Sequence, residues 1–214
     1  MNNPFDIYTE EYEAWFKEKR AFFQSELLAL KQVVPIGKKG VEIGIGGGIF
    51  AEKLDIKFGI DPSGNMLRYA RQRNRYVVRG FAEDLPFPDN RFDFAVFITS
   101  VCFISDPAKA LAEAYRIVKR NGDLIIAFLD RESTLGQILT AEKKDSKFYR
   151  DANFYSVKEM IALMESNHFE VRKIYQTLTD MQKNETENPV EGFGKGSFIV
   201  IWGRKHPEKQ LKTF

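Results

Sequence analysis

Hydrophobic positions along this chain recur at two different spacings, and each change of spacing marks a new element. Over residues 8–34, Tyr12, Phe16, Phe23, Leu27 and Leu30 recur near the helical period, with Trp15 and Phe22 on the flank. This pattern predicts one amphipathic helix, with Thr9 as its N-cap and Pro35 and Gly37 ending it. Short apolar runs predict strands at 41–43, 57–60, 76–79, 92–98 and 124–129, and two closing strands at 169–177 and 197–203. Helical stripes separate the strands. One opens at Ile49, and a second carries Met66, Leu67 and Ala70. A third is capped by Asp106, has Pro107 in its first turn, buries Ala108, Leu111, Ala112, Tyr115 and Val118, and stops at Asn121-Gly122. A fourth opens with the capping box Ser156-Val157-Lys158-Glu159. Periodicity fails over 130–155, and 180–196 is polar. The alternation implies an α/β fold in which seven strands form a mainly parallel sheet with an antiparallel C-terminal edge, covered by helices on both faces.

Composition narrows the class. The 214 residues suit one domain with a sizeable core, and 43% hydrophobic against 29% charged residues describes an ordinary folded protein. With 32 basic and 30 acidic residues there is no net field to attract nucleic acid or a membrane surface, so neither is an expected partner. The basic cluster Arg68, Arg71, Arg73, Arg75 and Arg79 has the spacing of a solvated helix face and its exit. A single cysteine, Cys102, excludes an internal disulfide. The first residues lack the pattern of a signal peptide, and no run approaches the ~20 apolar residues of a membrane span, so a cytoplasmic protein is expected.

The candidate chemistry begins at Val41-Glu42-Ile43-Gly44-Ile45-Gly46-Gly47-Gly48, a strand running into a glycine loop ahead of a helix. Glycines let the backbone take φ > 0 and approach a ligand closely, and the helix start offers free N–H groups. A dinucleotide fingerprint starting at Gly44 fails at Ile49, whereas its looser form from Gly46 to Ala51 is met. Glu42 is the unusual residue. A carboxylate in a buried strand is costly without a partner, and a cofactor bearing an α-amino group would supply one. Asp61, at the tip of the next strand, sits where a carboxylate accepts from ribose hydroxyls, and Ser63 is then free to cap the following helix.

The acidic-x-G-x-G-x-G run over 42–48 resembles motif I of class I methyltransferases dependent on S-adenosyl-L-methionine (SAM). Residues 80–93, Gly80-Phe81-Ala82-Glu83-Asp84-Leu85-Pro86-Phe87-Pro88-Asp89 and onward to Phe92-Asp93, closely resemble the G-D-A-E-x-L-P-F-x-D-x-x-F-D signature of the ubiquinone/menaquinone-biosynthesis group, as does E-A-x-R-x-V-K-x-x-G over 113–122. Phe81 departs from that signature, standing where an aspartate commonly contacts the adenine.

The resemblance implies a Rossmann-like fold, SAM as cofactor and methyl transfer to a small-molecule acceptor at nitrogen or oxygen. It places Glu42 at the methionine amino end and Gly44, Gly46 and Gly48 along the backbone curve. Asp61, with Pro62 and Met66, falls at the ribose, Ala82 and Glu83 at the adenine rim, and Thr99 and Ser100 under the sulfonium. Residues 1–36 become a helical lid, 37–129 the cofactor core, 130–155 a substrate-side insertion and 156–204 the closing helix and strands of one domain. Tyr8, Tyr12, Trp15, Cys102 and Phe103 are the expected substrate walls. No catalytic dyad and no metal are expected, because SAM is already activated and alignment is the main task. Cys102 lacks a neighbouring base in sequence and reads as a wall residue rather than a nucleophile. A non-catalytic SAM-binding module, a nucleic-acid methyltransferase and a dinucleotide-dependent oxidoreductase stay open as alternatives; the Pro-Pro motif usual in nucleic-acid amino-methyltransferases is missing after Thr99.

Overall fold

A computed structural model describes residues 3–180 and 182–206; the ends of the expected domain, 1–2 and 207–214, lie outside the described residues. Three helices come first, α1 (Pro4–Ile7), α2 (Thr9–Glu18) and α3 (Arg20–Leu30). Next come β1 (Gly40–Ile43), α4 (Ile49–Lys53), β2 (Phe58–Asp61), α5 (Gly64–Gln72), β3 (Tyr76–Arg79) and β4 (Phe92–Ile98). After them run α6 (Pro107–Ile117), β5 (Val118–Leu129), α7 (Thr134–Glu142), α8 (Val157–Ser166), β6 (Phe169–Thr177), β7 (Val190–Glu191) and β8 (Phe198–Lys205).

The strands form one sheet in the order β3-β2-β1-β4-β5-β8-β6-β7. The first five are parallel, and β8, β6 and β7 complete it antiparallel. The sheet therefore has eight strands rather than the seven expected. The addition, β7, is two residues long and lies in the stretch that reads as polar loop.

Strand alternation feeds two apolar layers. Val41, Ile43, Phe97, Leu124 and Ile126 face α6 and α8 through Leu111, Ala114, Met160 and Met164. Val96, Ile98, Ile125, Ala127 and Val200 face α3, α4 and α5 through Leu27, Leu30, Phe50, Ala51 and Leu67. Glu42, between Val41 and Ile43 in β1, must point to the opposite side from them.

Local signals explain most helix starts. Ser63 caps α5 by accepting from Met66 N, Asp106 caps α6 with Pro107 behind it, and Ser156 and Glu159 complete a capping box on α8. The predicted single helix over 8–34 is instead two, α2 and α3, with α1 standing before that range. The main break falls at Lys19 (φ −104°, ψ 42°), and the bend lets Phe16 and Phe23 both set their rings on Phe50. Thr9 is not an N-cap: its hydroxyl donates to the Phe5 carbonyl and, at 3.3 Å, to the Asp6 carbonyl, closing the end of α1.

The third helix ends at Ile117, and Asn121 and Gly122 lie in β5 rather than stopping it. A Cβ on Gly122 would meet the Asp93 carbonyl at 2.6 Å, so the glycine serves strand contact. Residues 130–155 are not irregular throughout: Ser133 caps α7 there, and a 3-10 turn follows at Lys143–Asp145. Among the described residues no helix is long and apolar enough to cross a membrane.

Candidate active site

The carboxyl ends of β1, β2 and β4 meet at the glycine loop. Gly44, Gly46 and Gly48 all take positive φ, at 78°, 53° and 77°, which side chains rarely adopt. Their surroundings differ. A Cβ on Gly44 would collide with Ser100, and one on Gly48 would press on Ala70 at 3.2 Å, whereas one on Gly46 would meet nothing within 4 Å. Gly46 thus borders open space, and the close approaches at Gly44 and Gly48 hold the curve.

Asp61 lies beside Gly46. Its Oδ2 accepts from Gly46 N at 2.9 Å and its Oδ1 from Ser63 N at 2.8 Å. Burial pushes its carboxyl up to about 6, the two N–H groups oppose that rise, and nearby Asp6 adds to it. Ser63 takes the cap, as the sequence reading requires for Asp61 to be available. Pro62 receives Arg79 Nε on its carbonyl at 2.9 Å, and Met66 is fully buried in α5.

Glu42 is 2% exposed, and its Oε2 has no hydrogen-bond partner among the described residues. Burial first, and then the charge of Asp61, raise its carboxyl well above the ordinary range, against a hydrogen bond from the Ala51 backbone. The orphaned oxygen, the open side of Gly46 and the adjacent Asp61 form a polar cradle that fits an amino-acid end and a ribose.

On the far side of the cradle, Thr99 takes φ 50°, a strained value for a β-branched residue. Its N–H donates to the Ala127 carbonyl at 2.8 Å, and Ser100 Oγ donates to the Ile43 carbonyl at 2.7 Å. Ser100 therefore sits against Gly44, while Thr99 is held to β5. Ala82 packs against the apolar core, and Glu83 Oε1 accepts from Ser105 N at 3.1 Å and Asp106 N at 3.2 Å, which orders the turn before α6. Phe81 is 66% exposed.

Over this cradle the N-terminal helices close. Asp6 Oδ1 accepts from Ser63 Oγ at 2.6 Å and Asn65 N at 3.1 Å, and Asn65 Nδ2 donates to the Asp6 carbonyl at 2.7 Å. Arg73, just past α5, donates to both Glu13 carboxyl oxygens and to the Gly47 carbonyl. The basic cluster is thus not simply a solvated face. Arg73 ties α2 to the glycine loop, Arg75 Nη1 donates to the Ile56 carbonyl at 3.0 Å, and only Arg68 and Arg71 match that reading in full.

Phe5 stacks its ring edge on Tyr12 and Phe103 and packs on Phe148, while Tyr8 and Tyr12 also meet Phe148. Phe103 stacks on Tyr149 at 5.9 Å. Lys147 pairs with Glu11 at 3.0 Å, joining the 130–155 stretch to α2. Of the expected substrate walls, Tyr8, Tyr12, Cys102 and Phe103 lie in or beside this aromatic enclosure. Trp15 instead packs edge-on against Phe16, on the layer that covers the sheet. Burial pushes the Cys102 thiol up to about 12, so it is not a thiolate.

Two further residues belong here. Tyr149 stands in the aromatic cluster Phe148, Tyr149, Phe154 and Tyr155 of the stretch without period, which reads equally as a substrate-side loop or as aromatics pinning a surface excursion to the body. Sequence reading did not single out Glu26, although it carries a signal: Phe22, Phe23, Leu27, Ala29 and Leu30 surround it at helical spacing, so it stands on the apolar face of α3.

Residues 41–126 match the family model of the methyltransferase domain. An uncharacterized protein of Methanocaldococcus jannaschii is 42% identical over 95% of this chain and 99% of its own length. A Thermotoga maritima SAM-dependent methyltransferase, described as a possible histamine N-methyltransferase, superposes with a TM-score of 0.92 at 45% identity, covering 95% of this chain and 99% of that one. A ubiquinone/menaquinone-biosynthesis C-methyltransferase of Psychromonas ingrahamii is 35% identical over 104 residues, 45% of this chain and 37% of its own length. The glycine loop, the sheet order and these likenesses agree: the chain belongs to the class I SAM-dependent methyltransferases, resembles their ubiquinone/menaquinone-biosynthesis group, and takes S-adenosyl-L-methionine as its cofactor.

Proposed function

We propose that this enzyme, a single methyltransferase domain in the cytoplasm, methylates a nitrogen or oxygen of a small-molecule acceptor inside a chamber closed by the N-terminal helices and the 130–155 insertion. SAM supplies a methyl group already activated on a sulfonium. The observation that carries the small-acceptor reading is the enclosure. Phe5, Tyr12, Phe103, Phe148 and Tyr149 seal the face above Thr99 with aromatic rings, which suits a compact acceptor and poorly suits a polymer.

In this reading the residues divide by task. Glu42, with Gly44, Gly46 and Gly48, frames the amino-acid end, and Asp61, followed by Pro62 and Met66, receives the ribose hydroxyls. Ala82 bounds the adenine, with Glu83 shaping that rim through Ser105 and Asp106. Thr99 and Ser100 form the floor where nucleophile and methyl group are aligned. The wall of Tyr8, Tyr12, Cys102 and Phe103 excludes water and holds the acceptor. Such positioning contributes rate by fixing the reacting atoms in line, without a dedicated catalytic pair.

Calorimetric titration with S-adenosylhomocysteine tests the cradle. Micromolar binding by the wild type, weakened about tenfold (~1.4 kcal/mol) by Asp61→Ala, is expected. Unchanged affinity in the variant would remove Asp61 from the site.

A further inference from the structure

One buried acidic group beside the enclosure has no task in that scheme. Glu26, on α3, is 5% exposed, and burial alone lifts its carboxyl to about 8. No hydrogen bond or ion pair reaches the carboxylate among the described residues. The groups that feel its charge are the hydroxyls of Tyr12, on α2, and Tyr149, in the insertion. Burial holds both phenols un-ionised. Tyr149 also lines a small pocket with Thr99, Cys102, Phe128, Leu129 and Phe154. Glu26 therefore belongs to the acceptor side of the floor at Thr99, not to the cradle around Asp61.

An unpartnered carboxylate in an apolar helix face destabilises the free protein and persists only where something offsets the cost. Nothing within the fold does so. The complementary ligand carries a positive charge, several N–H donors and an apolar body that tolerates aromatic walls, where cation–ring attraction adds to the pairing.

We propose that Glu26 is the acceptor-recognition residue, and that the methyl acceptor is a small primary amine bound as its ammonium ion between Glu26, Tyr12 and Tyr149. The inference rests on the small-acceptor reading above and narrows it to nitrogen. An ammonium has no lone pair, so it must lose a proton before it can attack. One N–H bond breaks and one O–H bond forms, taking R–NH3+ and the Glu26 carboxylate to R–NH2 and the neutral carboxylic acid. Both charges vanish together within the enclosure, and the proton leaves to water when the lid next opens.

The test uses the whole chain saturated with S-adenosylhomocysteine, whose own affinity is recorded first. Phenethylamine and butylamine are then titrated beside the neutral isosteres 2-phenylethanol and butanol, in the wild type, Glu26→Gln and Glu26→Asp. The wild type is expected to prefer each amine over its alcohol by about tenfold or more. Glu26→Gln should abolish that preference and leave S-adenosylhomocysteine affinity within about twofold, whereas Glu26→Asp should keep part of it. Glu26→Gln should also melt at a higher temperature than the wild type near pH 7, because the amide is buried neutral without taking up a proton. Equal binding of amines and alcohols, absence of amine binding, or an unaltered preference in Glu26→Gln would overturn the proposal. So would a lowered melting temperature in Glu26→Gln, which would mark a structural role. If S-adenosylhomocysteine binds while the amine preference is missing, only the role of Glu26 falls. If S-adenosylhomocysteine fails to bind, the small-acceptor reading falls with it.

Discussion

The two halves of this site are held in different ways. The cofactor half, β1 through Ser63, is set by backbone: positive φ at three glycines, N–H groups aimed at Asp61, and a helix cap two residues later. Its partners lie within about twenty residues of one another in sequence. The acceptor half is set by side chains from distant parts of the chain, with α1–α3 meeting the 130–155 insertion through rings and the Lys147–Glu11 pair. The first arrangement tolerates almost no change of residue type. The second can be rebuilt with different side chains, which is how one fold serves many acceptors.

The largest expected effect comes from breaking the backbone half. Gly44→Ala meets a φ of 78° and places its Cβ against Ser100, so strain and overpacking together should cost about 3 kcal/mol in denaturant unfolding. It should also abolish S-adenosylhomocysteine binding. Adding Ser100→Gly should recover the steric part and leave the dihedral part. Full recovery would show that the loop depends on packing as the lid does, and the contrast would collapse.

Loosening the side-chain half should do less. In Arg73→Met the Glu13 carboxylate, about 10% exposed, loses its guanidinium partner, and the Gly47 carbonyl loses a donor. A cost of about 1–2 kcal/mol follows, below that for a fully buried pair. Hydrogen exchange should speed up over residues 4–30 and stay unchanged in β1, β4 and β5.

The smallest effect is a pH dependence in the cofactor half. Burial holds the folded Asp61 carboxyl at about 6 against an ordinary 3.8. Its proton is retained longer in the folded state, so the stability it contributes is complete below pH 3.8 and is lost as pH rises through about 6. Ligand binding runs the other way, because hydroxyls donate to the ionised form. Affinity for S-adenosylhomocysteine should fall about tenfold from pH 7 to pH 5 and stay flat in Asp61→Asn. Equal slopes in both proteins would assign the titration elsewhere.

The same contrast explains what could be read from residue order alone. The loop, Asp61, the cap at Ser63, the Asp106-Pro107 start and the Ser156–Glu159 box are local patterns, and each stands where its spacing indicates. The break at Lys19 was not readable, because it depends on Phe16 and Phe23 converging on Phe50, some thirty residues away. Glu83 looked like a rim contact because its spacing matches a motif; only the folded turn shows it accepting from Ser105 and Asp106. Arg73 looked like surface charge until the lid brought Glu13 to it. Two-residue β7 carries too little pattern to be seen at all.

The position of β8 has a consequence for how the chain is made. β8 lies between β5 and β6, yet it is synthesised after both. During translation β5 therefore presents a bare edge, and β6 has no sheet to join, until Phe198–Lys205 arrives. The parallel half can condense on the ribosome while the C-terminal half waits. The interval between those events is when an exposed strand edge is open to pairing with a neighbouring chain.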